Sequence, residues 1–173
     1  MKKTALITCA ILMAFSFTGC GATTTLPSDT EISTADTTQL PNPWYDYASL
    51  EEASEAAGYS ITLPSVEAIE GETFYRVLEP GSDNPTLEII YNNTDGEEEL
   101  RIRKAPGSDD ISGDYNIYAQ TETILEGSQN ITFQGNDDTF YLATWSVDGY
   151  TYSVSSSAGL SQDAFTELVT QIN

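Results

Sequence analysis

The side chains of this chain that could do chemistry are mainly carboxylates. The sequence has 27 acidic residues, only six lysines and arginines, two cysteines and no histidine. The lack of histidine excludes Ser-His-Asp and Cys-His nucleophile systems and histidine ligands for zinc. Asp109, Asp110 and Asp114 lie in one short polar stretch, and carboxylate oxygens are ligands that calcium prefers. Their spacing differs from that of an EF-hand loop, so a calcium site there is weighed against acids that are simply solvated.

A second acidic stretch, 136–138, offers further candidate calcium ligands. Carboxylates can also act in pairs, as the acid and base of a glycoside hydrolase. With so many acids, however, a pair at a suitable separation is expected by chance, and the sequence does not support the concave pocket that catalysis needs. The chain also has no glycine-rich loop between a strand and a helix to hold phosphate. We therefore predict a protein that is not an enzyme and has no cofactor.

The net charge of −21 limits the possible partners. A field of this sign disfavours nucleic acid and repels anionic lipid headgroups and wall polymers. An acidic surface also keeps an exported domain soluble and separate from its copies. The composition therefore predicts a monomer that does not bind nucleic acid.

The N-terminus carries the clearest functional signal. Two lysines precede an uncharged, largely apolar run, 4–17, which is followed by Thr18, Gly19 and Cys20. A positive start, an apolar run and small residues before a cut are the features of a secretory signal. The run is shorter than the roughly 20 residues that a transmembrane helix needs. With a cysteine directly after the small residues, the segment resembles a bacterial lipoprotein signal peptide.

That resemblance implies a lipid anchor. Residues 1–19 would be removed, and Cys20 would carry diacylglycerol, with acyl chains such as palmitate. Two chains hold a protein on a membrane far better than one, so we expect attachment to the cell membrane, facing outside the cytoplasm. The alternatives are an N-terminal membrane-spanning anchor and an ordinary secretory signal with a chance cysteine. Cys9 leaves with the signal and Cys20 is acylated, so no disulfide is expected.

The rest of the chain divides into a tether and a domain. Residues 20–43 begin with the lipidated cysteine, are rich in threonine and contain Pro27, Pro41 and Pro43. They have too few large apolar residues to fold, so we expect a flexible tether. Residues 44–173 hold the aromatic residues that a core requires. They are predicted to form a single extracytoplasmic domain.

Two helices are predicted, one near each end of this domain. Ser49 followed by Glu52 forms a capping box, and Gly58 ends the first helix. Ser161 caps the last helix. Its apolar residues recur at helical spacing, and they are Phe165, Leu168, Val169 and Ile172.

Alternating apolar and polar residues predict strands between the helices. Apart from two hairpins, these strands are 59–63, 73–78, 115–119, 123–125 and 130–133. We expect an α+β fold, in which a twisted antiparallel sheet of about eight strands has the N-terminal and C-terminal helices packed on one face.

The first hairpin turns at Asp95-Gly96. A two-residue turn there places Ile89 opposite Ile102 on one face and Glu88 opposite Arg103 on the other. An opposite-charge pair of this kind is worth a fraction of a kcal/mol. The register therefore satisfies both the apolar pattern and the charges.

The second hairpin turns at Asp148-Gly149 and pairs Trp145 with Tyr152. Tyr141 shares their apolar face, whereas Phe140 and Leu142 interrupt the polar face. We interpret Trp145 as a core residue. An aromatic platform for a ligand is the alternative.

Several segments together resemble a family of Firmicute proteins, domain of unknown function 4367. The segments are the first helix and its extension to Pro64 (49–64), 111–115, 141–145, 148–153 and the closing helix. The resemblance covers roughly residues 48–172. It implies an extracytoplasmic domain of the kind found in lipoproteins and anti-sigma factors, and it brings no assigned activity.

We therefore expect a lipid-anchored cell-surface lipoprotein with a non-catalytic binding or sensing domain. Its ligand would be a protein or a component of the envelope. The first alternative is a carrier of a hydrophobic or lipid ligand in a cavity between sheet and helices. The second alternative is a carboxylate-based hydrolase.

Overall fold

The computed structural model describes residues 42–66 and 69–173. The predicted signal peptide (1–19), Cys20 and the tether as far as residue 41 lie outside the described residues. The predictions made for them are therefore not tested by the fold.

Within the described residues, eight strands form one antiparallel sheet, so the predicted α+β class and the predicted number of strands are confirmed. The order across the sheet is β1-β2-β3-β4-β8-β7-β6-β5. The strands are β1 (Trp44–Tyr47), β2 (Thr73–Leu78), β3 (Thr86–Asn92), β4 (Glu98–Pro106), β5 (Gln120–Glu126), β6 (Gln129–Asn136), β7 (Thr139–Val147) and β8 (Tyr150–Leu160).

The two helices form where their capping residues predict. Helix α1 is Leu50–Ala57 and α2 is Gln162–Val169. The Ser49 hydroxyl accepts a hydrogen bond from the backbone N–H of Glu52 at 3.2 Å, and Gly58 ends α1 with a φ of 81°. The Ser161 hydroxyl accepts the N–H of Ala164 at 3.3 Å at the start of α2. Each cap satisfies a donor that the first helical turn would leave unpaired.

A single hydrophobic cluster includes alternate residues of the strands and the buried residues of both helices. Its fully buried members include Leu87, Ile102 and Val154 on neighbouring strands and Phe165 on α2. Burying an aliphatic or aromatic side chain of this size contributes about 1.5–3 kcal/mol. The alternation leaves every second strand residue for the opposite face, which we call the polar face.

The second hairpin is confirmed in detail. Asp148 and Gly149 have φ angles of 53° and 80°, as a two-residue turn with positive φ at both positions requires. Trp145 pairs with Tyr152. Their rings stack 5.0 Å apart and are 4° from parallel, and Trp145 is buried in the core.

The first hairpin has the predicted pairing but a different turn. Ile89 pairs with Ile102 and Glu88 with Arg103. Of the two turn residues only Gly96 has a positive φ, 81°, and a register shift follows Tyr91. The connection is therefore a longer turn with a bulge. The bulge absorbs the extra residue, so the prediction is wrong for the turn and correct for the strands.

Strand β7 also departs from the prediction at its start. A register shift between Phe140 and Leu142 interrupts the alternation of sides. Phe140, predicted for the polar face, is buried in the hydrophobic cluster beside Phe133. Tyr141, predicted for the apolar face, stacks on Tyr118 with ring centres 6.0 Å apart.

Two predicted strands are absent and one strand was not predicted. Residues 59–63 are irregular, because the backbone of Thr62 bonds to the C-terminal Asn173 rather than to a strand. Residues 115–119 are also irregular. Strand β1 was expected only as the start of the folded chain, and it pairs along β2.

Candidate functional site

A cluster of charged side chains lies at the centre of the polar face. Glu88 is fully buried between Arg76 and Arg103. Its Oε1 accepts the Nε–H of Arg76 at 2.8 Å, and its Oε2 accepts the Nε–H of Arg103 at 2.6 Å. Arg101 approaches the same carboxylate at 3.6 Å and also pairs with Glu98. Buried charges need such partners because their desolvation is costly.

The ring of Trp44 adds a second contact to this cluster. The guanidinium carbons of Arg76 and Arg103 lie 5.1 and 5.4 Å from its centre. A cation over an indole ring is stabilised by the ring quadrupole. The short edge strand β1 therefore helps to hold both arginines in place.

Arg103 also fastens a long loop to the polar face. This loop, 107–119, connects β4 to β5. Nη1 of Arg103 donates to the carbonyl oxygens of Ile111 at 2.8 Å and Ser112 at 2.6 Å. Gly113 follows with a φ of 62°, and a Cβ there would lie 2.6 Å from Nη1. Glycine is thus required both by the backbone conformation and by the close approach of the guanidinium.

The second half of the loop is fixed by Asp114. Its carboxylate accepts the backbone N–H of Asn116 at 2.8 Å and the hydroxyl of Tyr118 at 2.6 Å. Burial alone would raise the pKa of Asp114, but these hydrogen bonds outweigh it, so the pKa is lowered. Burial and the same hydrogen bond raise the pKa of Tyr118 to about 12. Since Tyr118 also stacks on Tyr141, the loop is anchored to β7.

Between these anchors the loop exposes two large apolar side chains. Tyr115 is 94% exposed and Ile117 is 97% exposed. Single exposed apolar residues are common on protein surfaces. Here, however, two lie in a segment whose backbone is held by Arg103 and Asp114, so they are presented in a fixed arrangement. We call these two residues the loop tip.

Three open clefts adjoin the loop. One, of about 540 Å³, lies between residues 108–111 and strands β6 to β8. Another, of about 510 Å³, lies between residues 112–118 and the serines of β8. The third, of about 300 Å³, lies between the loop and Trp44. The larger two fall within the size range of ligand sites, about 300–1,000 Å³.

Lys104 lies on the opposite side of the sheet, inside a group of tyrosines. Its Nζ is 5.7, 4.6 and 5.1 Å from the ring centres of Tyr59, Tyr150 and Tyr152. It donates to the carbonyl oxygen of Ser60 at 2.7 Å. Burial lowers the pKa of this amine. The contact joins the irregular segment after α1 to the sheet, so we interpret Lys104 as a structural residue.

The predicted calcium ligands are not gathered into a cluster. In residues 42–66 and 69–173, no group of three or more acids, cysteines or histidines could hold a metal ion. Asp110 accepts the backbone N–H of Ser112 at 2.8 Å, and Asp114 serves the loop contacts described above. Asp109 is exposed. In the second acidic stretch, Asn136 accepts the N–H of Ala119. The geometry thus gives the calcium prediction no support.

The sequence reasoning found Glu88 and Arg103 but missed Arg76 and Trp44. Arg76 lies on β2, where it is opposite Glu88 of β3 on one side and Asp46 of β1 on the other. An arginine in the middle of a predicted strand (73–78) was the available signal. It could not be used without the order of the strands, which places β2 beside β3.

Comparison with protein-family models, with curated proteins and with solved structures finds no match for this chain. Within the described part of the chain, neither helix has the length and hydrophobicity to cross a bilayer. The site must therefore be interpreted from its own geometry.

Proposed function

We propose that this protein is a lipid-anchored, non-catalytic binding domain that acts outside the cytoplasm and binds a partner with the loop tip. In this proposal residues 1–19 are a signal peptide, Cys20 carries the lipid, and a tether to residue 43 leads to the domain 44–173. The resemblance to domain of unknown function 4367 belongs to the same proposal.

The observation that carries the proposal is the rigid display of Tyr115 and Ile117. Both are more than nine-tenths exposed. Arg103 holds the backbone before them, Asp114 holds the backbone of Asn116 between them, and Asn136 holds that of Ala119 after them. Tyrosine supplies a large contact area at a low cost in conformational entropy. A preorganised loop avoids the ordering cost that a flexible one incurs on binding. These properties favour a protein-binding surface.

The proposed layout of the fold leaves this surface free. Both helices contribute to one hydrophobic cluster with the strands, which supports packing of α1 and α2 on one face of a twisted sheet. The loop then occupies the other face. The clefts beside it are open to solvent, which favours binding at the surface over transport of a lipid in an enclosed cavity.

Lipid attachment is tested by Cys20→Ser. We expect the variant to move from the membrane fraction to the soluble extracytoplasmic fraction, because two acyl chains supply the anchoring energy. Cys9→Ser is the matched control and should leave the protein membrane-bound. Retention of the Cys20→Ser protein in the membrane would refute the anchor.

Binding at the loop tip is tested by photo-crosslinking on intact cells of the source organism. A benzophenone side chain replaces Ile117 in one protein and Leu125 in a control. Leu125 is 68% exposed on the edge strand β5 and lies outside the loop. We expect one discrete adduct from position 117 that disappears when Tyr115→Ser is added, and none from position 125. Equal labelling at both positions would contradict the proposal.

A further inference from the structure

Strand β1 is the first element of the fold after the proposed tether, and its attachment to the sheet is slight. It has four residues, lies at the sheet edge and, within the described residues, pairs with β2 alone. The N–H of Trp44 donates to the side chain of Asn42 at 3.2 Å rather than to another strand. Edge and terminal segments with few contacts open at a lower free energy than core strands. We therefore expect β1 to undock from β2 more readily than the sheet unfolds.

One side chain of β1 reaches well beyond the neighbouring strand. The ring centre of Trp44 lies 5.4 Å from the guanidinium carbon of Arg103, although β2 and β3 separate β1 from β4. Neighbouring strands are about 4.8 Å apart, so three spacings place the two backbones about 14 Å from each other. The two long side chains bridge this distance over the polar face. Their contact therefore depends on β1 being docked.

Arg103 connects this contact to the 107–119 loop. Its side chain is only 11% exposed, and its Nη1 donates to the carbonyl oxygens of Ile111 and Ser112. The donors of a guanidinium have a fixed planar geometry, so holding the group over the Trp44 ring also restrains the direction of the bonds to the loop. The cleft of about 300 Å³ between the loop and Trp44 leaves the loop room to shift when the ring is withdrawn.

We propose that the docking of β1 on β2 controls the order of the loop tip. While β1 is docked, Trp44 holds Arg103 and the loop stays ordered; when β1 undocks, the loop loosens. This inference rests on the proposed function, in which the loop tip binds a partner and the tether ends at residue 43. A pull on the tether reaches the fold at β1 and acts on the binding surface through it. By thermodynamic linkage, a bound partner in turn strengthens the docking of β1.

Amide hydrogen exchange in the full chain tests this coupling. Trp44→Leu removes the ring and keeps an apolar side chain. We expect the amides of Ser112 and Asn116, which both donate to carboxylates of the loop, to exchange about two- to thirtyfold faster, the range that corresponds to one cation–π contact. Tyr45→Leu is the matched control, because it changes the adjacent aromatic residue of β1, which is 56% exposed. It should leave both rates unchanged.

A cross-link that keeps β1 docked tests the inference in the opposite direction and does not require Trp44→Leu to fold. Tyr47 and Tyr75 are opposite each other on β1 and β2, so Tyr47→Cys with Tyr75→Cys places two thiols within reach of a disulfide. The chain also carries Cys9→Ser and Cys20→Ser, so that no other thiol competes. Oxidation should slow the exchange of the two loop amides relative to the reduced form of the same protein.

Two amides of the β3–β4 turn serve as an internal control. Those of Asp95 and Glu97 also donate to a side-chain oxygen, that of Asn93, at 3.0 Å, and they should respond to neither change. Wild-type loop rates in Trp44→Leu, an equal rise at the turn amides, or identical loop rates in the oxidised and reduced forms would each overturn the proposal. The test needs no partner, so its failure is distinguishable from failure of the crosslinking at position 117.

Discussion

Glu88→Gln isolates the effect of one buried negative charge, because the two side chains have nearly the same shape. The carboxylate is fully buried and accepts hydrogen bonds from Arg76 and Arg103. The amide leaves these cations without their counterion and turns a donor toward them. Removing one partner of a buried ion pair costs about 3–5 kcal/mol. That is a large part of the total stability of a domain, about 5–15 kcal/mol.

Urea unfolding followed by tryptophan fluorescence measures this loss. With a slope of about 1–3 kcal/mol per molar, a loss of about 4 kcal/mol lowers the midpoint by about 1.3–4 M. Glu98→Gln is the matched control, because Glu98 pairs with Arg101 at the surface and is partly exposed. It should cost less than about 1 kcal/mol. Equal losses in the two variants would refute the argument that burial makes Glu88 important.

Three further predictions concern the core, the loop and the response to pH. Trp145→Ala should reduce the free energy of unfolding by about 3–5 kcal/mol, and a loss below about 1 kcal/mol in urea would contradict its burial. Gly113→Ala should destabilise the protein more than Gly127→Ala and speed amide exchange in the 107–119 loop, because both glycines have φ near 60° but only Gly113 is crowded, by the Arg103 guanidinium. Equal effects of the two substitutions would contradict the argument that Arg103 fastens the loop at Gly113. Burial raises the pKa of Tyr91 from 10.0 to about 12, so the folded state keeps a proton that the unfolded state loses, and stability falls as the pH rises through this range. Tyr91→Phe should therefore lose less stability than the wild type between about pH 9 and pH 11, measured by urea unfolding at both values.

Local sequence determined the parts of the fold that depend on near neighbours. The caps at Ser49 and Ser161 and the pairing of Trp145 with Tyr152 follow from short-range signals. Each needs only a turn or a helix end a few residues away. The same signals failed for 115–119, where alternation suggested a strand. There the side chain of Asp114 bonds to Asn116 and Tyr118, which competes with strand pairing.

The candidate site depended on contacts that the sequence does not encode locally. Glu88 and Arg103 were correctly paired, but they were interpreted as a cross-strand pair worth a fraction of a kcal/mol. Arg76 and Trp44 reach the same place from β2 and β1, at the far end of the sheet order. The burial of Glu88 results from all of these residues together. No pattern within one hairpin predicts it.

The use of the basic residues constrains the partner of the loop tip. In residues 42–66 and 69–173 the basic side chains are Arg76, Arg101, Arg103 and Lys104. The three arginines are at most 28% exposed and are paired with acids of this chain, and Lys104 is enclosed by tyrosines. The outer surface is therefore left to the acidic residues. If the loop tip binds a protein, as we propose, an acidic partner would be repelled as it approached Tyr115 and Ile117. The proposal therefore predicts a partner that combines an apolar contact with a neutral or basic rim. With a basic rim, association should slow as ionic strength rises, because steering by surface charge is screened within about 8–10 Å.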